Sequence, residues 1–139
     1  MKYEVVEGML TPEQIVFREI LDISRIASMI FMDTTTEWQV NARNYEASIM
    51  NLESTVEPFL DSQFFSERDV LLRKARAKLS DHRKENPKLS LTRQGKDFEV
   101  MLSFVVAKKR LGLIMLSLQR TNFLQKSMVQ AIEGGEGLE

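Results

Sequence analysis

Hydrophobic residues recur every three or four positions along most of this chain, which predicts α helices rather than strands. Only three prolines and six glycines interrupt the pattern, and three of those glycines lie in the last six residues. A chain with so few turn-forming residues favours long helices over many short strands. The predicted fold class is therefore all-α.

The first helix is predicted over residues 12–32. Thr11 suits the N-cap, Pro12 suits the first helical position, and Gln14 completes a capping-box pattern. Residues 1–10 show no helical period, and we interpret them as an N-terminal arm.

A second helix is predicted from the capping-box pair Thr34 and Glu37, and it should end before Pro58. The short turn at 33–36 makes the first two helices antiparallel neighbours. Apolar residues then follow the alternating spacing of a heptad seam, and its central members are Trp38, Tyr45, Ile49, Leu52 and Val56. We interpret this seam as a helix interface, used either in the core or in self-association.

The second half of the chain predicts further helices. Residues 58–65 are expected to connect to a third helix that begins near Ser66 and fades before Pro87. A turn with Thr92 as N-cap then leads into an apolar helical region over 96–131. This region is either one helix or two, with a break near Lys108–Gly112. Gly112 is expected to serve a bend or a close helix approach.

These elements predict a single domain over 1–139, an antiparallel bundle of four to five helices with a long C-terminal helical region at its centre. Residues 133–139 are expected to form a flexible acidic tail. The length of 139 residues is enough for a hydrophobic core that needs no disulfide bond or structural metal.

The near-neutral net charge of −1 hides a strong asymmetry. Residues 1–67 carry 4 basic and 12 acidic side chains, whereas residues 68–126 carry 15 basic and 5 acidic ones. Such a division predicts an electrostatic partner, within the molecule or between molecules.

The basic residues are densest in the segment 68–96, and we single out nine of them as candidates for binding nucleic acid or an acidic partner. These are Arg68, Arg73, Lys74, Arg76, Lys78, Arg83, Lys84, Lys88 and Arg93. They could follow a phosphate backbone, with affinity that falls steeply in salt. They could equally face the acidic half of the same chain, a second copy or an acidic protein. The segment lacks the aromatic residues that stack single-stranded bases.

The residues that catalysis needs are scarce. The chain has no cysteine and a single histidine, His82, which excludes thiolate chemistry and histidine metal clusters. Glu46, Glu53 and Glu57 are interpreted as a solvated acidic face of the second helix. We therefore predict no catalytic, cofactor-binding or metal-binding residues, no small-molecule substrate, and a protein that is not an enzyme.

The sequence leaves two functional hypotheses. The first is a non-enzymatic interaction or assembly module that acts by helix packing and charge complementarity, with a protein partner or a second copy. A small regulatory or structural protein, including one of viral or mobile-element type, fits this description. The alternative is a nucleic-acid-binding bundle that uses segment 68–96. The lack of cysteine and of an apolar leader or membrane-spanning run predicts a cytoplasmic protein without membrane contact.

Overall fold

The computed structural model describes residues 10–32, 37–89 and 92–128. These residues form four α helices: α1 (Pro12–Met32), α2 (Trp38–Val56), α3 (Ser62–Glu85) and α4 (Arg93–Arg120). A short 3₁₀ turn (Glu57–Phe59) joins α2 to α3. The prediction of an all-α bundle is confirmed. The predicted tail and all of the predicted arm except Leu10 lie outside the described residues.

The predicted start of α1 is confirmed by its capping box. The Gln14 backbone N–H donates to Thr11 Oγ1 at 3.2 Å, and the Thr11 N–H donates to Gln14 Oε1 at 2.9 Å. Two of the N–H groups at this helix start are thereby satisfied. Thr34, the first residue of the capping box predicted for α2, lies outside the described residues. Glu37 occupies the N-cap position there without a side-chain cap.

The predicted start of α3 at Ser66 is wrong by one turn. The helix begins at Ser62 because Asp61 is its N-cap and accepts a hydrogen bond from the Phe64 N–H at 2.9 Å. Phe64 is consequently a helical core residue rather than part of a connection. Phe59 remains in the connection but is partly exposed, with its ring stacked on Phe123.

α4 runs without a break from Arg93 to Arg120, so the alternative of two helices divided near Lys108–Gly112 is wrong. Thr92 caps its start as predicted and accepts from the Gly95 N–H at 3.2 Å. α4 ends at Arg120 and so does not continue unbroken to residue 131, but residues 126–128 are helical again, and residues 129–131 lie outside the described residues. The chain turns at Asn122, whose φ of 61° lies in the left-handed region that asparagine tolerates.

Contacts between helices fix their directions. Tyr45 meets Phe104 and Glu53 meets Arg110, so α2 and α4 run parallel and side by side. His82 meets Phe98 near one end of α3, whereas Asp61 meets Ser117 at the other, so α3 is antiparallel to α4. The closest helix pairs are α2 with α4, α3 with α4, and α1 with α2. α2 and α4 therefore form the inner pair of helices, and the central place predicted for the C-terminal helical region is shared with α2.

The core lies mainly between α1, α2 and α4. Each of these helices contributes at least five buried apolar residues, whereas α3 contributes only Phe64. Burial raises the pKa of Tyr45, whose ring lies 5.1 Å from that of Phe104. α3 is thus held against the bundle along one narrow edge, and most of its surface faces solvent.

Candidate interaction surface

α3 presents most of the predicted basic residues to solvent. Five of them are exposed and form no ion pair with any residue in the described ranges: Arg73, Lys74, Arg76, Lys78 and Lys84. Lys88 is exposed in the connection after α3, and Arg93 is exposed as the first residue of α4. The helix is basic because its apolar stripe is narrow and the remaining positions carry lysine and arginine.

Arg68 does not belong to this exposed set. Its guanidinium lies over the rings of Phe64 and Phe65, at 5.8 and 5.2 Å from the ring centroids. Its Nη1 donates to Glu53 Oε2 at 2.9 Å, while its Nε is buried without a hydrogen-bond partner among the described residues. The structure therefore moves Arg68 from the predicted binding surface into the packing between α2 and α3.

Glu53 binds two arginines that lie on different helices. Besides Arg68, Arg110 of α4 binds it with two hydrogen bonds, Nε to Oε1 at 2.6 Å and Nη2 to Oε2 at 2.8 Å. Burial alone would raise the pKa of Glu53, but the hydrogen bonds and charges of Arg110 and Arg68 outweigh it and hold that pKa below its usual value. The prediction that Glu53 belongs to a solvated face is wrong, since the residue is only 9% exposed.

Asp61 forms a second cluster of polar contacts. Besides capping α3, it binds Arg120 through both carboxylate oxygens, at 2.7 and 2.9 Å. Ser117 Oγ accepts from the Asp61 N–H and donates to its Oδ1, both at 2.9 Å. The hydrogen bonds of Arg120 are the main reason that the pKa of Asp61 lies well below its usual range. The same bonds, with the charges of Asp61 and Glu67, raise the pKa of Arg120.

These two clusters show how the acidic first half of the chain pairs with its basic second half. Acidic residues of the first half do pair with basic residues of the second half, but through Arg68, Arg110 and Arg120. Arg83 is the other predicted basic residue with a partner, because it donates to Glu99 of α4. Most of the exposed basic surface of α3 therefore remains uncompensated by any described residue.

An apolar groove lies beside that basic surface, between α3 and α4. It has a volume of about 710 Å³ and is open to solvent. Val70 and Leu71 of α3 and Leu113 and Leu116 of α4 form its apolar part, while Glu67, Ser66, Lys74, Lys109 and Gly112 complete the lining. Val70 and Leu116 are each 43% exposed, so two large apolar side chains stand in water at this site. A groove of this volume falls within the range of about 300–1,000 Å³ that binding sites occupy.

Gly112 is the unusual residue of the groove. The predicted close approach of another helix does not occur within the described part of the chain, because an added Cβ would meet nothing within 4 Å, and α4 runs unbroken through this position. A glycine in mid-helix costs about 1 kcal/mol relative to alanine. Nothing in the described part of the chain requires that cost.

The predicted heptad seam lies inside the bundle. Tyr45, Ile49, Leu52 and Val56 are buried core residues, and Trp38 is partly buried against the same core. The seam is thus a helix interface within the chain, and in this conformation it offers no surface for a second copy.

No group of three or more metal-ligating side chains occurs among residues 10–32, 37–89 and 92–128. His82 stacks on Phe98 with ring centroids 3.8 Å apart, and its Nε2 is buried without a partner in the described ranges. A smaller polar pocket of about 160 Å³ lies between α2 and α4, beside Arg43, Glu46 and Glu99. It is smaller than typical ligand sites.

The fold and its surfaces define a four-helix all-α bundle with one under-packed, basic outer helix. Comparison with protein-family models, with curated proteins and with solved structures found no match. In the part of the chain that the structure describes, no helix is both long and apolar enough to cross a membrane.

Sequence reasoning found the basic helix but missed the groove beside it. The groove depends on Val70 and Leu116 remaining exposed, and an apolar residue in a helix is ordinarily assigned to the core. One sequence signal did exist, since Gly112 stands in the middle of a long apolar helix where alanine would be favoured.

Proposed function

We propose that this protein is a non-enzymatic interaction module whose binding surface is the α3–α4 groove. The observation that carries the proposal is that Val70 and Leu116 are exposed on either side of a large apolar groove. Contiguous apolar surface of this kind, bordered by polar residues, marks interaction sites in soluble proteins.

The flanking charges support a protein partner at this groove. Lys74 and Lys109 lie at one end and Glu67 lies at the other, so the groove combines an apolar floor with charges of both signs. Leucine and valine side chains match the apolar face of a helix, which docks by side chains spaced three or four residues apart. A nucleic-acid backbone would instead be repelled by Glu67 and would gain little from the apolar floor.

Site-specific photo-cross-linking tests this proposal. A photoreactive side chain at position 116 should give a discrete protein adduct in extracts of the source cells. The adduct should disappear when Val70→Glu is added, because a carboxylate in the groove opposes an apolar partner. The same probe at position 29 is the matched control, since Met29 is 69% exposed but lies on α1. Equal adducts from both positions, or none from position 116, would contradict the proposal.

Nucleic-acid binding is the second candidate, and one observation favours it. Arg73, Arg76 and Lys84 are exposed on α3 without an ion pair to any described residue, and Arg76, Arg83 and Lys84 line a shallow depression of about 370 Å³. Titration of labelled duplex DNA and single-stranded RNA at several salt concentrations tests it. Salt-sensitive binding that is lost in the variant Arg73→Glu/Arg76→Glu would establish this candidate, and an absence of binding at low salt would exclude it.

A further inference from the structure

We infer that the occupant of the α3–α4 groove is a second copy of the same chain, docked about a two-fold axis with its α4 antiparallel to the first. This inference rests on the proposed function and specifies the partner. It follows from the order of charges along the groove and from the position of Gly112.

The groove is self-complementary in charge. Because α3 and α4 are antiparallel, Lys74 and Lys109 lie at one end, whereas Glu67 and Leu116 lie at the other. A second copy turned end for end therefore places its Glu67 opposite Lys74, and the two-fold axis repeats this contact. A parallel arrangement would instead set lysine against lysine, so the charges select one orientation.

Gly112 lies at the centre of this arrangement. It is midway between Lys109 and Leu116 on α4, just as Val70 and Leu71 are midway between Glu67 and Lys74 on α3. The proposed axis thus passes beside Gly112, where α4 of one copy comes nearest to α4 of the other. A missing side chain at that point allows two helix backbones to approach closely, and the open space around an added Cβ gives the second helix room.

The apolar residues fit the same geometry. Val105, Gly112 and Leu116 follow one face of α4 at helical spacing, and Val105 is 37% exposed. Two α3–α4 pairs packed face to face form two stacked layers of two helices each, and this packing covers Val70 and Leu116 of both copies. α3 would then be packed on two sides, which supplies the burial that it lacks within one chain.

The test is the mass of the full chain in solution across a wide range of concentration, by sedimentation equilibrium. The wild type should reach twice its chain mass of 16.1 kDa. Lys74→Glu should weaken the dimer by about tenfold, because two contacts change from attraction to repulsion. Glu67→Lys should weaken it similarly, and the combined variant Glu67→Lys/Lys74→Glu should recover much of the loss.

Arg76→Glu is the matched control, since it makes the same charge change on the same helix but lies outside the groove. It should leave dimerisation unchanged. All of these positions except Glu67 are exposed, so the variants should fold, and circular dichroism checks that they do. Recovery in the combined variant separates a lost contact from a damaged fold.

A chain that stays monomeric at every concentration would overturn the inference, as would a dimer that is insensitive to Lys74→Glu or equally sensitive to Arg76→Glu. These results would leave the proposed function standing if position 116 still cross-links to a different protein. Loss of that cross-link together with a monomeric chain would remove both proposals.

Discussion

Arg110 on α4 binds Glu53 on α2 with two hydrogen bonds, at 2.6 and 2.8 Å, within the bundle rather than on its surface. Arg68 reaches the same carboxylate from α3. One acidic side chain therefore connects three helices, and its contacts help to set how α3 lies against α2 and α4.

Replacing Glu53 by glutamine should lower the free energy of unfolding by about 3 kcal/mol. The substitution leaves two half-buried guanidinium groups without their counter-charge, and removal of one partner from such a cluster is strongly destabilising. Urea unfolding measures the effect. Glu19→Gln, at an exposed position on α1, is the control and should change stability by less than about 0.5 kcal/mol. Equal stability of the two variants would show that the cluster contributes little.

The protein should lose stability in acid, and Asp61 should account for part of the loss. Since Arg120 holds the pKa of Asp61 below its usual value near 4, the folded state binds this proton less readily than the unfolded state. The stabilisation is therefore complete above that usual value and is lost as the pH falls through the lower folded-state pKa. Urea unfolding at a series of pH values should show a decline below about pH 5. The decline should be shallower in Asp61→Asn, and identical slopes would contradict this assignment.

Gly112→Ala should stabilise the isolated chain by about 1 kcal/mol, because alanine favours the helix and its Cβ meets open space. The same methyl group should weaken the proposed dimer, since it lies where two α4 helices approach. Thermal unfolding at low concentration should therefore show a higher melting temperature for the variant. Sedimentation at high concentration should show that its dimer is weaker. A loss of stability in the monomer would mean that the glycine has a packing role within the chain.

The N-cap of α4 offers a test of local helix chemistry. Thr92→Ala should lower the free energy of unfolding by about 1 kcal/mol, because the Gly95 N–H loses its acceptor. Thr92→Ser keeps a hydroxyl oxygen in the same place and should retain most of the stability. Thermal melts of the two variants provide the comparison, and equal losses would rule out the hydroxyl as the stabilising group.

Much of the fold could be predicted from local pattern. Thr11, Pro12 and Gln14 define the start of α1, and the heptad spacing from Trp38 to Val56 identifies a buried seam. The predicted helix bounds were wrong where a single residue, rather than the spacing of apolar residues, determined where a helix starts or ends. Asp61 caps α3 a turn before the predicted start, and Asn122 turns the chain although apolar residues continue beyond it.

The interaction surface was less predictable, because it depends on which apolar residues remain unburied. Helical spacing places Val70 and Leu116 on amphipathic faces, but only the packing of α3 shows that these faces meet water. Similarly, the sequence marks Arg68 as one of many basic residues. Arg68 lies against the bundle because it pairs with Glu53, which is fifteen residues earlier in the chain and on another helix.

Hydroxyl-radical footprinting of the full chain at low and high concentration shows whether a second copy covers the α3–α4 groove. Oxidation of Val70 and Leu116 should fall at high concentration, because the second copy shields both side chains. Met29 and Met50, exposed on α1 and α2, should be oxidised equally at both concentrations and serve as internal controls. Oxidation of Val70 and Leu116 that does not change with concentration, or protection confined to Met29 and Met50, would show that no second copy occupies the groove.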